Sequence, residues 1–191
     1  MRPALLAALL GPLALGALPT GGLLAVEARV PASAGPTVTL LGDGIGAARF
    51  GQSERVAVSD LDKALSTTKA KVVEMAGNCT VDLAVQWPML TAYFDHGRFV
   101  GYSTLAADGE PLTKMNMVTA KGLRVGDTLA EARRLYDGAL TTTFAQGGAW
   151  FAKTPDGRLE GYLSAEIYQT EPPPRIASIE AGQVGCPAAT P

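Results

Sequence analysis

The sequence predicts an α+β fold of two tandem units, each a helical segment packed on a four-stranded antiparallel sheet. Three observations predict it. Gly97-Arg98-Phe99-Val100-Gly101-Tyr102 recurs as Gly157-Arg158-Leu159-Glu160-Gly161-Tyr162 at a constant offset of 60, and an internal repeat sets the architecture. Phe50-Gly51-Gln52-Ser53 is matched by Val125-Gly126-Asp127-Thr128 at an offset of 75, each ahead of a stretch with helical spacing. After each such stretch, apolar and polar residues alternate with a period of two, the pattern of strands with one buried face.

The N-terminus explains part of the apolar content. Met1-Arg2 leads a run of Leu, Ala, Gly and Pro that extends to about Val26, which reads as a secretory signal with small-residue cleavage sites at Val26-Glu27-Ala28 and Ala32-Ser33-Ala34. We assign residues 1–34 to the signal peptide, 37–118 to the first repeat, 119–182 to the second and 183–191 to a tail. If retained, the run is long enough to anchor the chain in a membrane, although Gly11, Pro12, Gly16, Pro19, Gly21 and Gly22 interrupt it. Cleavage after Ala34 takes Lys plus Arg from 16 to 14 and Asp plus Glu from 18 to 17, a net charge of −3. That balance lacks the basic face of a nucleic-acid binder. At 191 residues, 47% hydrophobic and 18% charged, the chain suits one globular domain or two small ones and is too apolar for a disordered chain. An oxidising compartment favours a disulfide between Cys79 and Cys186; two buried free thiols are the alternative.

The first unit opens with a β-prone run at Thr37–Leu41 and a turn at Gly42–Gly46. Val58, Leu61 and Leu65 then share one helical face, with Ser53 as the N-cap. Four strands follow. Cys79, Val81, Leu83, Val85 and Trp87 point one way until Pro88 ends the run. Leu90, Ala92 and Phe94 form the next apolar set. Asp95-His96-Gly97 makes a hairpin turn. Arg98–Leu105 places Phe99, Gly101, Ser103 and Leu105 on one face with Val100, Tyr102 and Thr104 on the other, and Leu112–Val118 is the fourth run. In the second unit Thr128-Leu129-Ala130-Glu131 is a capping box, and Ala132, Leu135 and Tyr136 form the helix's apolar face. Strands are expected at Leu140–Phe144, Ala149–Lys153, Arg158–Ala165 and Arg175–Glu180, with a hairpin turn at Thr154-Pro155-Asp156-Gly157.

Two such units, with a Gly-apolar-x-x-Gly-x-Thr approach to the helix at Gly122–Thr128, resemble the β-lactamase inhibitory protein architecture. A single unit is similar to the small outer-membrane-assembly lipoproteins. The resemblance covers most of residues 40–182 and implies binding to another protein, in the first family inhibition of an enzyme. The inhibitor family carries a disulfide within each unit, whereas this chain has one possible pair.

Short motifs that mimic catalytic patterns lack their supporting parts. Ser66-Thr67-Thr68-Lys69 has the Ser-x-x-Lys spacing, but Ser59-Asp60-Leu61 and Lys153-Thr154-Pro155 are not the motifs that accompany it. Gly42-Asp43-Gly44-Ile45-Gly46 has no helix directly behind it to complete a phosphate loop. His96 is the single histidine, which leaves neither a zinc set nor a nucleophile–base pair. Asn78-Cys79-Thr80 is a formal glycosylation acceptor whose Cys is expected in a bridge. Tyr93, Tyr102, Phe151 and Tyr162 are expected on the sheet face away from the helices, with Lys114, Arg158 and Glu160 beside them. Aromatic residues with Arg on a half-exposed face suit the centre of a protein interface; an ordinary sheet face or a contact between the units is the alternative. The sequence therefore reads as a secreted, non-catalytic binding module of the bacterial envelope or exterior. It needs no cofactor or metal, and its partner is an envelope or extracellular protein. A proteinaceous inhibitor and a small secreted hydrolase are the competing readings.

Overall fold

The computed structural model describes residues 37–66, 71–75, 79–105, 116–143, 148–164 and 171–185, which fall within one compact unit. The signal segment, Lys69, Asn78, Lys114 and Cys186 lie outside them. In chain order the elements are β1 (Thr37–Leu41), β2 (Gly44–Ile45), β3 (Ala48–Arg49), α1 (Glu54–Leu65), β4 (Lys71–Glu74), β5 (Leu83–Trp87), β6 (Leu90–Asp95) and β7 (Arg98–Leu105). There follow β8 (Asn116–Thr119), α2 (Leu129–Tyr136), β9 (Leu140–Thr143), β10 (Ala149–Thr154), β11 (Gly157–Tyr162) and β12 (Ser178–Gly182).

This is not the expected α+β pair of helix-on-four-strand units. The described chain is mostly strand, with two helices. One sheet has eight strands in the order β4-β5-β6-β7-β12-β11-β10-β9, and a second has four in the order β3-β2-β1-β8. Two physical causes separate expectation from outcome. A lone four-stranded sheet leaves exposed edges, and here β7 and β12 remove two of them by pairing antiparallel from Leu105↔Ser178 to Gly182↔Gly101. The fourth run of the first half also leaves the large sheet, because β8 pairs parallel with β1 from Thr37↔Asn116 to Leu40↔Thr119. Neither pairing is local in sequence.

The lead-ins to the helices are built alike. Gly51 and Gly126 both take positive φ, 87° and 91°, where a side chain is strained. The Gly51 amide donates to Phe99 O and the Glu54 amide to Gly97 O; the Gly126 amide donates to Ile176 O and the Leu129 amide to Pro174 O. Arg98 Nη1 donates to Gly51 O at 3.0 Å and Arg175 Nη1 to Gly126 O at 2.9 Å. Arg98 thus corresponds to Arg175 in this arrangement, not to Arg158 as the offset of 60 suggests. Thr128 caps α2 with both halves of the capping box, the Glu131 amide donating to Thr128 Oγ1 and the Thr128 amide to Glu131 Oε2. Ser53 has N-cap backbone angles, but its side chain makes no capping bond.

The core lies between the large sheet and the layer formed by the small sheet and helices. Trp150, Tyr102, Tyr136, Phe94 and Phe99 are its largest fully buried side chains, and Ala57, Leu61, Leu65, Leu129 and Ala132 come to it from the helices. Each large apolar side chain so buried contributes about 1.5–3 kcal/mol relative to exposure.

The repeated Gly-Arg motif has a local explanation. Its copies lie on β7 and β11, the two neighbours of β12. A Cβ on Gly101 would stand 1.9 Å from Gln183 O, and one on Gly161 would stand 2.1 Å from Ser178 O. The same glycine recurs because the backbone of and just beyond β12 passes close on both sides. Gly101→Ala is expected to lower stability by about 1–3 kcal/mol through overpacking, read as a lower urea midpoint at unchanged slope. An unchanged midpoint would mean that Gln183 moves aside without cost.

Candidate functional site

The large sheet has a second face. Along it, Gln86, Thr91, Ser103, Glu180, Glu160, Phe151 and Thr141 form one cross-strand row from β5 to β9. All are half-buried or exposed. Alternation along β11 puts Arg158, Glu160 and Tyr162 on this face while Leu159 goes to the core, and on β10 it puts Phe151 outward between the buried Trp150 and Ala152.

Several side chains in and beside the row interact. The Arg158 guanidinium lies over the Phe151 ring, 4.6 Å from its centroid, and Arg158 Nη2 is 2.7 Å from Glu160 Oε2. Across the next pairing Glu160 faces Glu180. Ser103 Oγ donates to Glu180 Oε1 at 3.2 Å. Phe151, Arg158, Glu160, Tyr162 and Glu180, with Thr143 and Ala149 at its margin, line a depression of about 290 Å³. Burial raises the Glu180 carboxyl above its ordinary value. Hydrogen bonds from Ser178 and Ser103 oppose that shift, and the charge of Glu160 adds to it. Burial also raises Tyr93, and the charge of Glu180 reinforces it.

The structure therefore brings together Phe151, Arg158, Glu160 and Tyr162, with Tyr93 on the same face beside Glu180. Lys114 lies outside the described residues. Tyr102 goes elsewhere: it is fully buried and its hydroxyl donates to Leu41 O at 2.9 Å. The reason is a register shift between β6 and β7. Phe94 faces Phe99 but Tyr93 faces Gly101, so Val100 is an extra residue and the alternation inverts after it, as a bulge requires. Phe99 and Tyr102 consequently share the core side. Glu180 and Ser103 escaped the sequence reading of the site, although Ser178 and Glu180 alternating with Ile179 and Ala181 carries the signal.

The other motifs adopt ordinary roles. Ser66 is the left-handed C-cap of α1, and the Gly42–Gly46 stretch contains β2 and turns into β3. His96 sits on the β6–β7 hairpin tip at φ 48°, its imidazole 90% exposed and 3.0 Å from Asp95. Among the described residues no three His, Cys, Asp or Glu side chains are grouped to hold a metal, and no helix is long and apolar enough to cross a membrane. A larger groove of about 500 Å³ runs between α1 and the edge strand β4. It is bordered by Glu54, Arg55, Asp62 and Lys63 around Val58 and Val72, charges of both signs of the kind that solvate a helix face. The smaller depression is the better candidate because aromatic and opposed charged groups converge there.

No family model matches the chain, and no curated protein matches it. A solved structure, the uncharacterized protein yfeY from Escherichia coli, is 10% identical, covering 78% of this chain and 99% of its own, with a TM-score of 0.41. A likeness that weak supports neither a fold family nor a function.

Glu180 gives the site a pH signature. Its carboxyl titrates higher in the folded chain than in the unfolded one, so the fold disfavours the charged form. This contribution costs stability as pH rises from the ordinary carboxylate range through the raised value, and vanishes below both. Glu180→Gln is expected to melt above the natural chain at neutral pH, with the gap closing toward about pH 3. Thermal melts across that range test it; coincident curves at neutral pH would mean that the site holds Glu180 at no cost.

Proposed function

We propose that the chain is a secreted, non-catalytic protein-binding module whose contact surface is the β9–β12 half of the outward sheet face. One observation supports this reading above others: Phe151, Arg158, Glu160, Tyr162 and Glu180 share one depression on that face. Tyr162 is 41% exposed, one of few large hydrophobic side chains left so open among the described residues. Tyr, Phe and Arg are the residue types that dominate interface centres. The N-terminal run supports a partner in the envelope or exterior. If that partner is an enzyme, the module acts as an inhibitor, the reading that the family resemblance implies.

The test is capture of envelope and secreted proteins on the natural chain and on a Phe151→Ala/Tyr162→Ala variant, both side chains being at the surface. A partner held by the natural chain and lost at least tenfold by the folded variant is the expected result. Retention by both overturns this placement of the contact surface, and assays on a captured hydrolase separate inhibition from simple binding.

Secretion also carries the proposed Cys79–Cys186 bond. Unfolded in urea, the exported chain is expected to resist alkylation by iodoacetamide until it is reduced, and then to take up label at both cysteines. Labelling before reduction would sink the bond.

A further inference from the structure

We infer that the depression beside Glu160 and Glu180 is a seat for an arginine side chain of the partner protein. The inference rests on the binding-module reading above and adds the chemistry of the group that is recognised.

The two glutamates face one another on adjoining strands, a placement of like charges that disfavours a sheet. Compensation reaches only one of them. Glu160 holds Arg158 at 2.7 Å. Glu180 receives the Ser103 hydroxyl, and among the described residues no cation forms an ion pair with it. A half-buried carboxylate supplied with hydroxyl donors alone is costly in the free chain and gains when a cation arrives.

Arg158 shows what the surface accepts. Its guanidinium lies over the Phe151 ring at 4.6 Å while an edge nitrogen meets Glu160. The same two components, an open aromatic ring and a carboxylate, recur in the depression as Tyr162 and Glu180. A guanidinium from outside has both a ring to lie on and an acceptor to face. Arginine fits better than lysine because its planar group stacks on an aromatic ring and presents a fork of N–H donors to a carboxylate, whereas an ammonium is a compact and strongly hydrated charge.

The probe is N-acetyl-arginine amide, titrated into the isotope-labelled full secreted chain and followed by amide chemical shifts. N-acetyl-citrulline amide, neutral and of similar shape, is the control. Saturable shifts confined to the neighbourhood of Glu160, Tyr162 and Glu180 are expected with arginine and not with citrulline. Glu180→Gln should weaken the response at least tenfold while raising the melting temperature, a combination that general damage to the fold does not produce. The seat is refuted by equal responses to the two probes, by a response unchanged in Glu180→Gln, or by no saturable shift up to the solubility limit. Failure here is separable from failure of the module reading: a partner lost by Phe151→Ala/Tyr162→Ala but indifferent to Glu180→Gln keeps the surface and removes the arginine seat.

Discussion

The pairing of β7 with β12 is the contact on which the rest depends. It turns two sets of four strands into one eight-stranded sheet and places β12 between the two chain stretches that carry the Gly-Arg motif. The pairing needs missing side chains. Gly101 admits the Gln183 carbonyl and Gly161 the Ser178 carbonyl. Opposite Gly161, Trp150 passes its indole N–H to Ser178 O at 3.2 Å, so the same vacancy that lets β12 approach lets the largest core side chain satisfy its donor. Close packing and hydrogen bonding are met by one glycine.

That pairing also brings Ser103 to the outward site. Glu180 comes from β12, Glu160 from β11 and Phe151 from β10, three strands that follow one another in the chain, whereas Ser103 comes from the remote β7. Because side chains alternate along every strand, the apolar residues between them fill the core while these polar ones line up outward. The electrostatic tension at Glu180 then follows from register alone: the β11–β12 pairing fixes its opposition to Glu160, and nothing within the described chain neutralises it. Retaining such tension is the usual cost of a surface kept ready for something else.

Much of the local structure was readable in the residues. The period-two alternation located β6, β10 and β11 closely, and the Thr128–Glu131 capping box located α2. The outward grouping of Phe151, Arg158, Glu160 and Tyr162 followed from the same alternation. What escaped was non-local. Nothing near Leu112–Val118 announces that β8 leaves for the small sheet to lie beside β1. A single extra residue at Val100 carried Tyr102 from the expected outward face into the core, since a period of two has no tolerance for an insertion. The offset of 60 was a true sequence similarity attached to the wrong structural correspondence: two stretches are alike because each borders β12, whereas the matching helix lead-ins are tied to Arg98 and Arg175.

The position of β12 in the chain has a consequence for assembly. It is the last strand in sequence among those described, yet one of its two neighbours, β7, is made much earlier, with Gly101 meeting Gly182 at a separation of 81 positions. The β4–β7 ladder can form while the chain is still emerging, but the continuous sheet and its outward row of side chains cannot exist until the far end arrives. Pairings of such long range make folding slow and leave the flanks of β7 and β11 unpaired in the interim.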